Sequence, residues 1–219
     1  MRRIRLAPLC GRCCRGGSAE AGAAGAVQES ADTLELAQRY GDDLGLEAAL
    51  VLRGLILAQQ DSPQREEGLR LLGTAREAAL QGSLRVFLPP IDLEFAKDKA
   101  RTCDFDAAIE LLRAVADREL RSGDAVFHAV AVAALVESLL ARGADADIDE
   151  ADAQVQRLAC AAQADSGLAI REIWLLRSRA LLARAHGDET GYRDYRDRYR
   201  AMATSLGFEG HMKWAEAMG

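Results

Sequence analysis

The spacing of the turns constrains this chain more than any other feature. Between amphipathic runs rich in Leu and Ala, breaks fall at Asp61, Asp104, Gly143 and Asp188, at intervals of 43, 39 and 45 residues. An interval of that size holds two helices and a tight turn, and one such pair leaves an apolar face uncovered. Consecutive pairs can bury those faces against each other, so the spacing predicts an all-α chain of stacked antiparallel helix pairs. Composition agrees. Aromatic residues make up 5% and Pro numbers only 4, while Ala and Leu, which lose little entropy in a helix, dominate. With 219 residues, 49% of them hydrophobic, the chain can bury a substantial core.

Local signals place the helix ends. Asp104 is set to cap one helix, and Ser122-Gly123-Asp124 to end it and start the next. At Asp61-Ser62-Pro63, Ser62 is expected as the cap and Pro63 as the first helical residue. Leu84 to Leu88 reads as a short extended link before a helix opening at Pro89-Pro90. Asp147-Ile148-Asp149-Glu150 has the form of a capping box. A late helix from Thr190 carries Tyr192, Tyr195, Tyr199 and Met202 on one face, and a short amphipathic segment with Phe208, Met212, Trp214 and Met218 follows Gly207. Residues 1–28, a Gly/Ala/Cys/Arg mixture without period, are expected to form a disordered, low-complexity tail, leaving 29–219 as one repeat domain. The first residues lack the apolar run of a signal peptide, and no stretch reads as the ~18 apolar residues of a membrane span.

Charge and cysteine usage narrow the setting. The net charge is −6, with residues 1–28 at +4 and the remainder at −10. A body that acidic repels phosphate backbones, so direct nucleic-acid binding is not expected. Cys10, Cys13, Cys14, Cys103 and Cys160 are odd in number and do not form a disulfide framework, which suits a reducing cytoplasm.

Two stretches carry family resemblances. Cys103-Asp104-Phe105-Asp106-Ala107-Ala108-Ile109-Glu110-Leu111-Leu112 resembles the join between the two helices of a tetratricopeptide repeat (TPR), and Ala185-His186-Gly187-Asp188 followed by Tyr192 repeats the scheme. The resemblance implies a TPR-like, right-handed α-solenoid. The C-terminal run from Tyr199 to Met218, sharpest over Leu206 to Met218, resembles the end of bacterial multidomain regulators. Those join an adenylate cyclase domain, an ATPase domain and a tetratricopeptide-like region, and some relatives carry a LuxR-type DNA-binding domain. The resemblance covers residues 30–219, implies a role in signalling or transcriptional regulation, and transfers no catalytic residue.

No motif supplies chemistry. A P-loop needs Gly-Lys-Ser/Thr, and Lys97, Lys99 and Lys213 follow Ala96, Asp98 and Met212. Cys10-x-x-Cys13 is half a zinc site with no second half. The acidic stretch Asp145 to Asp152 lacks the Gly and the twelfth-position Glu of a calcium loop. His128 and His186 have no metal-spaced neighbours and are assigned structural roles, while for His211 the plain role is packing against Trp214 or capping. No catalytic, cofactor or metal residue is therefore expected. The candidate binding surface is Tyr192, Tyr195, Arg196, Tyr199, His211 and Trp214, weighed against plain core packing of the tyrosine stripe. The expectation is a non-catalytic scaffold or sensor that binds a protein, peptide or effector, with a cyclase/ATPase or DNA-binding regulator as partner. The alternative is an adenylate cyclase or ATP-binding regulator by descent only, without the catalytic residues.

Overall fold

The computed structural model describes residues 17–41, 43–82, 85–164 and 168–219, with the backbone alone at 17–23 and 162–164. Among the described residues the fold is all-helical, with no strand. The helices are α1 (Gly17–Tyr40), α2 (Asp43–Ala58), α3 (Gln64–Gln81), α4 (Leu88–Arg101), α5 (Phe105–Ser122), α6 (Ala125–Arg142), α7 (Asp147–Ala164), α8 (Ala169–His186), α9 (Glu189–Leu206) and α10 (Glu209–Ala217). Helix α1 starts inside the stretch expected to be irregular up to residue 28. Its run of Ala outweighs the interspersed Gly, a balance that tail-like composition conceals. Residues 1–16, including Cys10, Cys13 and Cys14, lie outside the described residues. The described residues fall into two compact units, one ending at Phe95 and the other spanning Ala96–Gly219.

In the first unit, α2 and α3 cross where two glycines remove the side chains between their backbones. A Cβ on Gly68 would meet the Ala58 nitrogen, and the Gly54 carbonyl oxygen would lie 2.8 Å away. Around the crossing, Val51, Ala58, Leu72, Ala75 and Ile91 form a buried cluster. Arg76 Nε donates to buried Asp92 at 2.6 Å and ties α3 to the start of α4. Two local expectations are corrected here. Pro63 precedes the helix rather than opening it, and Ser62 Oγ donates to Glu66 at 2.6 Å instead of capping. Arg85–Phe87 is a 3₁₀ turn, not an extended link, and α4 opens at Leu88.

In the second unit one turn recurs. Gly123, Gly187 and Gly207 end helices at φ 78°, 77° and 67°, a left-handed conformation that Gly adopts without a steric penalty. The residue after each donates back five positions, as Asp124 N does to Glu119 O at 3.1 Å and Asp188 N to Ala183 O at 2.9 Å. The same aspartates then cap the next helix: Asp124 accepts from Val126 N and Phe127 N, and Asp188 from Gly191 N. Asp104 caps α5 likewise, after Cys103 in place of Gly. Asp147 behaves differently from a capping-box residue. It turns back to accept from Ala144 N and Arg142, while Glu150 pairs with Arg113 at 2.5 Å. Burial alone would raise the Asp147 pKa, but Arg142 and the Ala144 amide hold it below the usual carboxylate range.

Ion pairs report the register of the stack. Arg113 to Glu150 and Asp117 to Arg157 link α5 to α7 in the same direction, 37 and 40 residues apart. Glu137 to Arg177 links α6 to α8 across 40 residues. Next-but-one helices therefore run parallel, and each helix runs antiparallel to the neighbour that Asp106–Arg142 or Asp152–His186 ties to it. Ala108, Ile109, Leu112, Val132, Leu135, Leu139 and Ile173 are buried in the seams. Helix α6 is long and apolar enough to cross a membrane by length and composition, which corrects the expectation that no stretch is. It packs against α5, α7 and α8, so it has little solvent-facing surface to make polar.

Candidate functional site

The six residues singled out in the sequence come together on α9 and α10, but not as one surface. Their three-four spacing turns Tyr192 and Tyr199 toward α8 and α10, where they are buried. The Tyr192 hydroxyl donates to the Met218 carbonyl oxygen, and the Tyr199 hydroxyl lies 2.9 Å from His211 Nδ1. With Ile173, Leu176, Ala180, Ala203 and Ala215 they form the C-terminal core. For these two tyrosines, core packing is the role the geometry supports. Arg196 holds the same junction from outside, donating to the Gly219 oxygen at 2.6 Å and to Asp197.

His211 sits in a nest of rings. The Trp174, Trp214, Tyr199 and Phe208 centroids lie 4.6, 5.0, 5.7 and 5.9 Å from its own. Burial first, and then the Arg177 charge, push its pKa down to about 4, so the imidazole is neutral at ordinary pH. Burial likewise raises the Tyr199 pKa above its ordinary value. Neither group is poised to exchange a proton near neutrality, and each satisfies the other.

Beside this nest lies a contact that sequence reasoning missed. The Arg177 guanidinium is nearly buried, donates to Glu137 on α6 at 2.5 Å, and lies 4.8 Å over the Trp214 ring. One arginine thus clamps α6, α8 and α10 together. Trp174 and Trp214 touch at 5.5 Å, and Trp214 remains 44% exposed, a large aromatic surface on a rigid seat. On α9, the half-buried Tyr195 ring has Arg179 and Arg198 at 5.8 and 5.7 Å. Trp174 and Arg177, three apart on one helix, were a legible pair; their partner Glu137, 40 residues away, was not.

The remaining histidines are placed elsewhere. His128 is buried in α6, and burial followed by the charges of Arg157 and Arg171 lowers its pKa. His186 Nε2 pairs with Asp152 at 2.7 Å on the exposed junction of α7 and α8. No group of three or more His, Cys, Asp or Glu side chains suited to a metal occurs among the described residues. No protein-family model matches this chain, and no curated protein or solved structure matches it either.

Proposed function

We propose that the chain is a non-catalytic helical-repeat scaffold or sensor, TPR-like in architecture, that engages a protein or peptide partner in signalling or transcriptional regulation. Its helix pairs are read as repeats of a right-handed α-solenoid. What supports this is the parallel register of α5 with α7 and of α6 with α8, at a period near that of the turns. The resemblance of Leu206 to Met218 to the end of cyclase–ATPase regulators adds the signalling context, a cytoplasmic setting, and a cyclase/ATPase or DNA-binding regulator as partner.

A single observation carries the reading. Buried Tyr192, Tyr199, His211 and Arg177 lock α8, α9 and α10, and on that frame Trp214 and Tyr195 stand partly exposed beside arginines. Aromatic and Arg side chains held rigidly at a surface lose little entropy on binding, which is why they dominate interface energetics.

The test is site-specific photocrosslinking in the native cell, with the reactive amino acid placed at Trp214 or, as a control, at exposed Arg70 in α3. A discrete adduct from position 214 that is absent from position 70 is expected. No adduct from position 214, or turnover of ATP by the purified chain above background, would overturn the reading.

A further inference from the structure

We propose that α1 and α2 carry a surface through which two copies of this chain pair about a two-fold axis. Of the 16 residues of α2, just Asp43, Glu47 and Arg53 are charged. A helix so apolar is normally covered on every side. Two sides of α2 are covered. Arg53 reaches back to the Val27 oxygen and Ser30 Oγ of α1 at 3.4 Å, and Gly54 sits against Leu72 of α3. A third side carries Leu44, Ala48 and Leu52 at steps of one turn, and both leucines are more than half exposed. On α1, Leu36 and Tyr40 continue the same four-residue step up to the turn. Leu36 is more than half exposed and Tyr40 is 79% exposed.

The pattern selects a second copy as the occupant. Leu44-x-x-x-Ala48-x-x-x-Leu52 reads alike in both directions. Antiparallel pairing about a two-fold axis then sets Leu44 of one copy on Leu52 of the other, with Ala48 on Ala48 at the centre. The small central side chain lets the helix axes approach, and the leucines close the ends.

Charge agrees. The row Leu36, Tyr40, Leu44, Ala48 and Leu52 contains no charged residue, so it offers an acidic or basic partner no counter-charge. The neighbouring charges are engaged within the chain, Glu35 with Arg39 at 2.5 Å and Arg53 with Glu67 at 3.8 Å. Residues 29–219 carry −10 in all, which keeps two copies apart through their acidic surfaces. A face without charge is where they can meet. Its four large side chains expose roughly 450 Å² per copy, over half of the about 800 Å² that each partner gives to a standard interface. Ala48 and the rim supply the remainder. No residue of the α8–α10 face takes part.

Sedimentation equilibrium of the full chain, from low micromolar to hundreds of micromolar, tests the pairing. A reversible monomer–dimer equilibrium that stops at two copies is expected. Tyr40→Ser and Leu52→Glu should each weaken it about tenfold or more, with the helical circular dichroism of the parent retained, because both side chains stand out from the folded monomer. Val86→Glu changes another exposed apolar residue, outside the row, and should leave the equilibrium unaltered. A chain that stays monomeric throughout would give the face to residues 1–16 or to a partner of different sequence, and the pairing would be overturned. A dimer untouched by Tyr40→Ser, one weakened equally by Val86→Glu, or growth past two copies would each overturn it as well. None of these results bears on crosslinking from position 214, so the two readings fail independently.

Discussion

Protonating His211 would place a second cation beside Arg177 among rings that cannot solvate it. The groups facing the imidazole are Arg177 from α8 with its partner Glu137 from α6, the Tyr199 hydroxyl from α9, and the dipoles of Trp174 and Trp214. An unfolded chain takes up this proton near pH 6.5, whereas the native imidazole resists it until about 4. The native pKa is the lower one, so this contribution is fully present above pH 6.5, declines as pH falls, and is gone near pH 4. Between pH 7.5 and 5 the loss should be on the order of 2 kcal/mol. Urea melts at the two pH values should show that difference relative to His211→Phe, in which the linkage is gone; parallel losses in both proteins would exclude it. Cys103 offers a second test on a single residue. Its φ of 62° is left-handed, where neighbouring turns use Gly. Cys103→Gly should raise stability by about 1 kcal/mol, since relief of Cβ strain outweighs the extra freedom gained by the unfolded chain. Calorimetry would register this as a higher melting temperature, and an unchanged or lower one would mean that the turn is not strained.

For the elements, turn chemistry was readable and helix crossings were not. Gly123-Asp124 and Gly187-Asp188 announce both a left-handed exit and the next cap within two residues, so the sequence places these helix ends directly. Asp147 misled because its box-like spacing with Glu150 is the same whether the carboxylate meets an amide or an arginine. The candidate surface divided for a similar reason. A three-four stripe identifies one helix face but not the depth at which each residue sits, so Tyr192 and Tyr199 became core while Tyr195 stayed half-buried. Gly54 and Gly68 read in the sequence only as weak helix formers, and their use becomes visible once α2 and α3 touch. Gly68→Ala should improve helix propensity by ~1 kcal/mol yet destabilise the unit overall by about 3 kcal/mol, because the methyl meets backbone, which cannot rotate away. A denaturant midpoint equal to or above that of the parent would show that the crossing has room to spare.

At the scale of the whole molecule, the question is whether stability is shared globally or passed from pair to pair. In the unit Ala96–Gly219, the ion pairs Asp106–Arg142, Arg113–Glu150 and Glu137–Arg177 join helices one or two apart in order. A stack built from nearest and next-nearest contacts distributes its free energy locally, with terminal elements shielding the one beneath. Helix α10 is the shield here: it covers Tyr199, bonds Tyr192 through Met218, and seats Trp214 on Arg177. Ending the chain at Leu206 would strip those contacts from α9 and leave the caps and seams of α5 and α6 as they are. Amide hydrogen exchange should then speed by orders of magnitude in α9 and the facing side of α8, with protection in α5 and α6 nearly unchanged. A bundle with one shared core would respond otherwise, losing protection in α5, α6 and α9 together, and that uniform loss would end the repeat interpretation. Retention of the gradient would mean that partner contact at α8–α10 acts on a part of the stack stabilised separately from α5, joined to it through α6 and the Glu137–Arg177 pair.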